Sequence, residues 1–211
     1  MFKRSTFALA MCALTLTACD EDTLAPEDGL SELDVQFLAL EIDAALGGVL
    51  DDYYATSANG PSGVEAQAAE PVTTTYSYDR TRECSAGGSM AIAGTGTRVV
   101  DREAGTVDVT GTGTRTRTDC ARSRGDVTLT TNGTGVFSHE RHWAVREATG
   151  TWTRTQSGDF DWTRSSGESG SCSYALTTTV DTGAGTASTT GTICGREIDR
   201  SASWDRGSRG G

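Results

Sequence analysis

Residues 157–181, SGDFDWTRSSGESGSCSYALTTTVD, contain the pattern that decides the fold. Apolar side chains at Phe160 and Trp162, and again at Tyr174 and Leu176, alternate with polar ones. A period of two places the apolar residues on one face of a β-strand. The serines and the two glycines between the two runs are typical of a turn. The stretch therefore predicts two antiparallel strands with one apolar face and one face open to water.

The same alternation continues over residues 72–206, where threonine is abundant and its branched side chain favours extended backbone. Asn132-Gly133 fits a two-residue type I′ hairpin. The spacing of the turn signals predicts a mainly β domain, an antiparallel meander of about nine to ten strands. The predicted turns are 102–105, 132–133, 147–150, 165–167 and 181–185.

An amphipathic helix is predicted over residues 30–56, before the strands. Ser31 and Asp34 have the spacing of a capping box. Apolar residues then recur at steps of three and four, as on one side of a helix: Val35, Leu38, Ile42, Ala45, Leu46, Val49 and Tyr53. Residues 57–71 are small and polar and predict a linker. Because the sheet must cover its apolar face, we expect it to curl and to pack against this helix.

Charge divides the chain into two parts. Between Ser5 and Asp79 the chain has fourteen Asp and Glu but no Lys or Arg, whereas from Arg80 onward it has sixteen Arg and no Lys. An acidic helix beside an arginine-rich sheet would place opposite charges near each other. Neither part has the clustered basic patch that nucleic-acid binding requires, so we expect no nucleic acid partner.

The composition indicates one domain with a thin core. The chain has 211 residues, of which 36% are hydrophobic, with three prolines, six cysteines and a net charge of -11. Typical domains have about 100 to 150 residues, so one domain fits beside an export signal and a linker. Such a chain should depend on strand pairing and on cross-links.

The first residues indicate export. Lys3 and Arg4 precede an apolar stretch of about ten residues, which is too short to remain as a membrane-spanning helix. Leu16-Thr17-Ala18-Cys19 resembles the lipobox of bacterial lipoproteins. The resemblance implies a signal peptide over 1–18 and acyl chains on Cys19, which would bind a membrane of the cell envelope, inner or outer. We expect an acidic tether over 19–29 and a disordered tail over 207–211.

Four further cysteines follow in the body of the chain: Cys84, Cys120, Cys172 and Cys194. An even number in an exported chain favours disulfides, and three pairings are possible. Cys172 and Cys194 are symmetric about a predicted turn, as are Cys84 and Cys120, so we expect those two pairs. Zinc is the rival interpretation, but no two of them have the close spacing typical of zinc ligands.

The residues that could support catalysis are few. His139 and His142 are three apart, so on a strand they point to opposite faces and cannot grip one metal. Asp159 and Asp161 share a side of one strand, about 7 Å apart by strand geometry, but their alternation with aromatic residues predicts the wet side of a half-buried strand. We expect no catalytic residue, no metal and no cofactor.

Two functions are compatible with this sequence. The favoured one is a lipid-anchored envelope lipoprotein whose β-domain is a non-catalytic structural or partner-binding module. The alternative is a carrier of an apolar, lipid-like ligand held between helix and curled sheet. A helix–sheet interface filled by side chains favours the module, whereas a hollow one favours the carrier.

Overall fold

The computed structural model describes residues 29–39, 42 and 70–204. The expected signal peptide (1–18) lies outside the described residues, as do the tail (207–211) and nearly all of the tether (19–29) and the linker (57–71). Helix α1 is described over 32–39 and at residue 42. Eight strands follow: β1 Val72–Glu83, β2 Ser89–Asp101, β3 Thr106–Arg124, β4 Val127–Ala144, β5 Thr149–Arg164, β6 Ser169–Asp181, β7 Thr186–Ile193 and β8 Arg196–Ser203.

The strands form one open antiparallel sheet in which each strand pairs with the next along the chain, from β1 at one edge to β8 at the other. The predicted mainly β, antiparallel meander is therefore confirmed. The expected number of nine to ten strands is wrong, because eight strands account for the described sheet and β3 alone extends over 19 residues.

One predicted turn is misplaced. Asn132-Gly133 lies inside β4, opposite a bulge in β3 where the register shifts between Arg117 and Cys120. The Asn132 side chain accepts a hydrogen bond from the backbone N–H of Asp119 at 2.7 Å and donates one to its carboxylate at 3.0 Å. Asn132-Gly133, which resembles a hairpin turn in sequence, thus lies opposite a bulge, where Asn132 makes hydrogen bonds with Asp119, a residue of the bulge.

The N-terminus of α1 has the predicted capping box. The Asp34 carboxylate accepts a hydrogen bond from the backbone N–H of Ser31 at 2.9 Å, and the Ser31 hydroxyl accepts one from the backbone N–H of Asp34 at 3.2 Å. These bonds satisfy donors that a helix start would otherwise leave exposed. Of the helix predicted over 30–56, only these first turns are described.

The two faces of the sheet differ in composition. We call the face that contains Ile92, Phe137 and Tyr174 the inner face, since these residues are buried, and the opposite face, which contains Thr112, the outer face. The main core cluster contains residues of α1 together with inner-face residues of β4 to β8: Leu30, Val35, Leu38, Ala39, Ile42, Leu129, Phe160, Trp162, Cys172, Tyr174, Leu176, Ile193 and Ile198.

Glycines on the inner face make room for rings. A Cβ atom added to Gly94 would lie 2.4 Å from the Tyr78 hydroxyl oxygen, and one added to Gly113 would lie 2.6 Å from the Phe137 ring. Each would also meet a carbonyl oxygen of the neighbouring strand at 2.4 Å. At these two glycines an aromatic ring of the same sheet therefore lies against bare backbone.

Candidate functional site

Every arginine in the strands lies on the inner face. Residues directly opposite each other in an antiparallel pair share a face, and so do residues two apart along a strand. The strand register therefore assigns all twelve arginines to the side of the core residues: Arg80, Arg82, Arg98, Arg115, Arg117, Arg122, Arg124, Arg141, Arg154, Arg164, Arg196 and Arg200.

The acidic side chains of the strands lie on the other face. Ten of the eleven are on the outer face, and the eleventh, Asp119, is at the bulge. The ten are Asp79, Glu83, Asp101, Asp108, Glu140, Asp159, Asp161, Asp181, Glu197 and Asp199. Alternation with the apolar residues predicts that Arg and Asp alike lie on the wet face. That expectation is wrong for arginine, because its long apolar stem and flat guanidinium pack on rings.

Arg115 shows how a guanidinium is accommodated in this core. The side chain is 3% exposed. It donates hydrogen bonds to the backbone carbonyl of Ile42 at 2.8 Å, to the Gln156 Oε1 atom at 3.1 Å and to the Tyr174 hydroxyl at 2.8 Å. Its Cζ atom also lies 5.3 Å from the centre of the Tyr174 ring. Arg115 thereby joins α1 to strands β5 and β6.

Stacking on aromatic rings recurs along the inner face. The Arg117 guanidinium lies 5.6 Å from the centre of the Phe160 ring. The Arg141 guanidinium lies 5.0 Å from the Trp143 ring and 5.7 Å from the Trp152 ring. A cation over an aromatic face gains about 0.5 to 2 kcal/mol, more when both are withdrawn from water. The aromatic residues therefore serve as platforms for the arginines.

Arginines also hold the start of α1. Arg164 forms an ion pair with Asp34, and both side chains are mostly buried. Burial raises the pKa of Asp34, but the hydrogen bonds from Ser31 and the charge of Arg164 outweigh it, so the pKa lies below its usual value. Arg196 donates to the carbonyl of Leu30 at 2.5 Å. The described start of the acidic N-terminal part of the chain, residues 29–39, is thus in direct contact with the arginines of the inner face.

Two buried N–H groups on the inner face have no hydrogen-bond partner among the described atoms. Gln156 is 4% exposed, and its Nε2 group has no hydrogen-bond partner among the described atoms. The same holds for the buried indole N–H of Trp152. Arg154, 7% exposed, lies between these two on the same strand, and Arg141 is directly opposite Trp152 on β4. We call Arg141, Trp152, Arg154 and Gln156 the donor cluster.

The two histidines lie on opposite faces, as predicted. His139 is on the inner face and 3% exposed, with its Nε2 atom 2.9 Å from the Tyr76 hydroxyl. Burial and, to a smaller extent, the charge of Arg154 lower the pKa of His139 to about 4. His142 is on the outer face, where its Nδ1 atom lies 2.6 Å from the Asp108 carboxylate. Both partners are about half exposed, so this is a surface pair screened by water.

Hydroxyl groups cover the centre of the outer face. One row of directly opposite residues crosses all eight strands: Ser77, Thr95, Thr112, Ser138, Thr155, Thr177, Thr190 and Asp199. The first four residues of this row line a shallow depression of about 690 Å³ over β1 to β4, which also contains Glu140. Such a surface offers donors, acceptors and methyl groups at regular spacing, which is suited to binding by many weak contacts.

A second depression of about 520 Å³ lies on the outer face over β4 to β6. Asp159 and Asp161 line it together with hydroxyls and with Asn132. Both carboxylates are exposed, whereas Phe160 and Trp162 are buried, so the two acids lie on the wet side of a half-buried strand as the sequence predicted. Among the described residues, no group of three or more His, Cys, Asp or Glu is placed to hold a metal ion.

The structure contains two disulfides. They join Cys84 to Cys120, with the Cα atoms 5.4 Å apart, and Cys172 to Cys194, with the Cα atoms 4.8 Å apart. This is the pairing expected from the positions of the turns. Disulfides of this kind are typical of proteins in an oxidising compartment outside the cytosol. The cysteine of the lipobox, Cys19, lies outside the described residues.

Comparison with protein-family models, with curated proteins and with solved structures found no match for this chain. No helix in the described part of the chain has the length and apolar character needed to cross a membrane. The two faces of the sheet are therefore the features from which a function can be argued. Counting positions along a strand is enough to find these two faces, because residues an even number of positions apart share a face. Arg115 and Arg117 are an even number of positions from Val109, a core residue.

Proposed function

We propose that this protein is an exported lipoprotein, anchored by acyl chains on Cys19, whose β-sheet is a non-catalytic module that presents a partner-binding surface. The lipobox supports the anchor, and the two disulfides support a location outside the cytosol. The acidic tether before Gly29 would be repelled by anionic headgroups, which favours display of the module away from the membrane.

The proposal includes a sheet that curls around the helix predicted over 30–56. The inner face then forms the core and is occupied by the protein itself. Support comes from the described start of α1, which shares one core cluster with inner-face residues of β4 to β8. The outer face is left to interact with other molecules.

The outer face is the observation that carries the binding proposal. It is a broad surface of hydroxyls and carboxylates over eight strands, and no arginine of the strands lies on it. We infer that the outer face binds its partner through many hydrogen bonds and through charge.

A carrier of an apolar ligand receives less support. The gap between α1 and the sheet, lined by Phe37, Leu38, Ile42 and residues of β2 to β4, has a volume of only about 20 Å³. By comparison, an apolar cavity of about 150 Å³ holds a molecule of benzene. This part of the interface is therefore filled by side chains, which favours the module. A pocket of about 180 Å³ beside Ala39, over β6 to β8, is the part that leaves room for a small molecule.

The anchor is tested by fractionation of the native host. Wild-type protein is expected in the membrane fraction, with the mass of a chain that begins at residue 19 and carries acyl groups. Cys19→Ser should move the protein to the soluble fraction. A wild-type protein that is soluble and has an unmodified Cys19 thiol would refute the lipoprotein assignment.

The binding surface is tested with purified cell envelopes of the host and the soluble Cys19→Ser form. Saturable co-sedimentation is expected, and Thr112→Arg/Thr155→Arg should weaken it at least tenfold by placing two large cations in the hydroxyl row. The matched control, Asp126→Arg, makes the same change of two charges at the turn between β3 and β4 and should bind as before. Equal binding by all three forms would exclude the outer face as the binding surface.

A further inference from the structure

We propose that two copies of this protein pair edge to edge through strand β1, with the two β1 strands antiparallel. The partner at this edge is thus a second copy of the chain, and the two sheets join into one sheet with eight strands from each copy. The proposal concerns an edge of the sheet, so it does not depend on the lipid anchor, on the helix–sheet packing or on binding by the outer face.

The free edge of β1 presents a row of backbone groups. β1 pairs with β2, and no described strand lies on its other side. The backbone N–H of Cys84 donates to the carbonyl of Gly88, so these two residues form a bonded pair next to the end of the ladder. Bonded and non-bonded pairs alternate along an antiparallel ladder, and residues of non-bonded pairs direct their N–H and C=O groups away from the partner strand. The register between β1 and β2 is unbroken. The residues that direct these groups to the free edge are therefore Thr73, Thr75, Ser77, Asp79, Thr81 and Glu83.

The sequence of β1 lacks the features that usually prevent an edge strand from pairing. Edge strands of soluble proteins are commonly short, rich in charge or interrupted by proline. β1 has 12 residues, and its first seven, VTTTYSY, contain no charged residue and no proline. The opposite edge, β8, has 8 residues, of which four are charged. The edge at β8 is therefore protected, whereas the edge at β1 can accept a further strand.

The charges of β1 permit it to pair with its own copy. Residues of the inner face must lie opposite residues of the inner face, so the two-fold axis passes at a residue rather than between two. The axis lies nearest the middle of the strand at Ser77 or at Tyr78. In both registers every charged residue of β1 lies opposite an uncharged one. With the axis at Ser77, for example, Asp79 lies opposite Thr75 and Arg80 lies opposite Thr74.

The same construction fails for β8. Its two central registers place the axis at Asp199 or at Arg200. Either register brings a charged residue directly opposite its own copy, and like charges in that position destabilise a strand pair. Pairing is therefore expected at β1 alone. Because a two-fold pair uses the same edge of both copies, the assembly closes at two copies.

The dimer would also enlarge the outer face. A two-fold axis perpendicular to the sheet leaves the outer faces of both copies on the same side. With the axis at Ser77, the row of hydroxyl residues that begins at Ser77 continues directly into the row of the second copy. About ten backbone hydrogen bonds, two for each bonded pair, would join the copies.

Sedimentation equilibrium of the mature chain with Cys19→Ser, over a range of micromolar concentrations, tests the pairing. The mass should rise to that of two copies and no further. The mass of one copy at every concentration would overturn the proposal. A mass that continues to grow would also overturn it, because pairing of β1 with β8 gives an open chain of copies.

Hydrogen exchange locates the contact without a substitution in β1, so a failure to fold cannot obscure the result. The amides of Thr73, Thr75 and Ser77 should exchange at least tenfold more slowly at concentrations that favour the dimer than at concentrations that favour the monomer. The amides at the free edge of β8 should exchange at the same rate in both. Exchange at Thr73, Thr75 and Ser77 that does not depend on concentration would overturn the assignment to β1.

A matched pair of proline variants tests the edge directly. Ser77 and Ser201 are exposed residues of the two edge strands. The N–H of Ser201 also points to a free edge, because the Trp204 N–H donates to the Gly185 carbonyl and bonded pairs alternate from there. Proline is tolerated at such positions, since the N–H that it lacks faces solvent. Ser77→Pro should raise the dissociation constant of the dimer at least tenfold, and Ser201→Pro should leave it unchanged. Equal effects of the two variants, or none from either, would overturn the proposal, and the anchoring and envelope-binding tests would be unaffected.

Discussion

Replacement of His139 by phenylalanine should remove a defined part of the acid sensitivity of this protein. His139 is buried on the inner face, stacked on Phe137 with ring centres 6.4 Å apart and directly opposite Arg154 on the next strand. Burial and then the charge of Arg154 lower its pKa from 6.5 to about 4. The folded protein therefore holds the imidazole neutral over a range in which the unfolded chain takes up a proton.

The sign and size of this effect follow from the linkage between protonation of His139 and folding. A histidine whose pKa is depressed in the folded state favours the folded state above its unfolded pKa and penalises it as the pH falls. Each pKa unit corresponds to 1.36 kcal/mol, so the shift of His139 corresponds to about 3 kcal/mol of lost stability between pH 6.5 and pH 4. Phenylalanine keeps a ring in place but removes the proton site.

Urea unfolding at a series of pH values from 4 to 7.5 measures this effect. His139→Phe will lose stability at every pH, because the contact with the Tyr76 hydroxyl is gone. The difference between wild type and variant should nevertheless shrink by about 3 kcal/mol as the pH falls from 6.5 to 4. His142→Phe, on the outer face, retains His139, so the free energy of unfolding of this variant should still show the fall with decreasing pH that His139 causes. Parallel curves for wild type and His139→Phe would refute the reasoning.

Three other changes probe the core. Arg115→Met should cost about 2 to 4 kcal/mol in urea unfolding, since three hydrogen bonds from a charged donor exceed the relief from no longer burying a charge; a cost below about 1 kcal/mol would contradict this. Gly94→Ala should lower the thermal midpoint by forcing Tyr78 and the neighbouring strand apart, at a cost of about 1 to 3 kcal/mol, and an unchanged midpoint would count against that packing. Replacing Cys172 and Cys194 by serine together should cost about 3 kcal/mol for their separation of 22 residues, and equal stability with and without this disulfide would show that it does not constrain the unfolded chain.

The alternation of residues was sufficient to predict the class of fold. Phe160 and Trp162 are buried with exposed acids on either side, as a period of two requires. The positions of the turns were also enough to select the disulfide pairs. The start of α1 could be predicted because a capping box depends only on residues within one turn of helix.

The misplaced turn depends on pairing between strands, which local sequence does not reveal. Asn132-Gly133 has the composition of a turn, but the bulge at Asp119 on the neighbouring strand uses it to satisfy an extra residue. The turn between β3 and β4 is instead at Gly125, where φ is 58°. Local sequence does not contain the partner strand, so it does not distinguish a turn from the opposite side of a bulge.

The face on which the arginines lie does not follow from their charge. Charge suggested exposure, whereas Arg115 and Arg117 lie in the core because Tyr174 and Phe160 offer flat surfaces for their guanidinium groups. Both arginines are an even number of positions from Val109 on the same strand, which places them on the face of that core residue. The donor cluster was out of reach of sequence reasoning, because it depends on which residues of β4 and β5 are directly opposite each other.

The central claim is that the inner face of the sheet forms a core only together with residues 30–56. Thermal unfolding of the mature chain, with and without residues 30–56, followed by near-ultraviolet circular dichroism of the tryptophans, tests it most directly. The account predicts that the shortened chain loses its cooperative transition, or that its midpoint falls by 10 °C or more, on the order expected for several kcal/mol in a domain of this size. An unchanged midpoint and an unchanged tryptophan spectrum would contradict it.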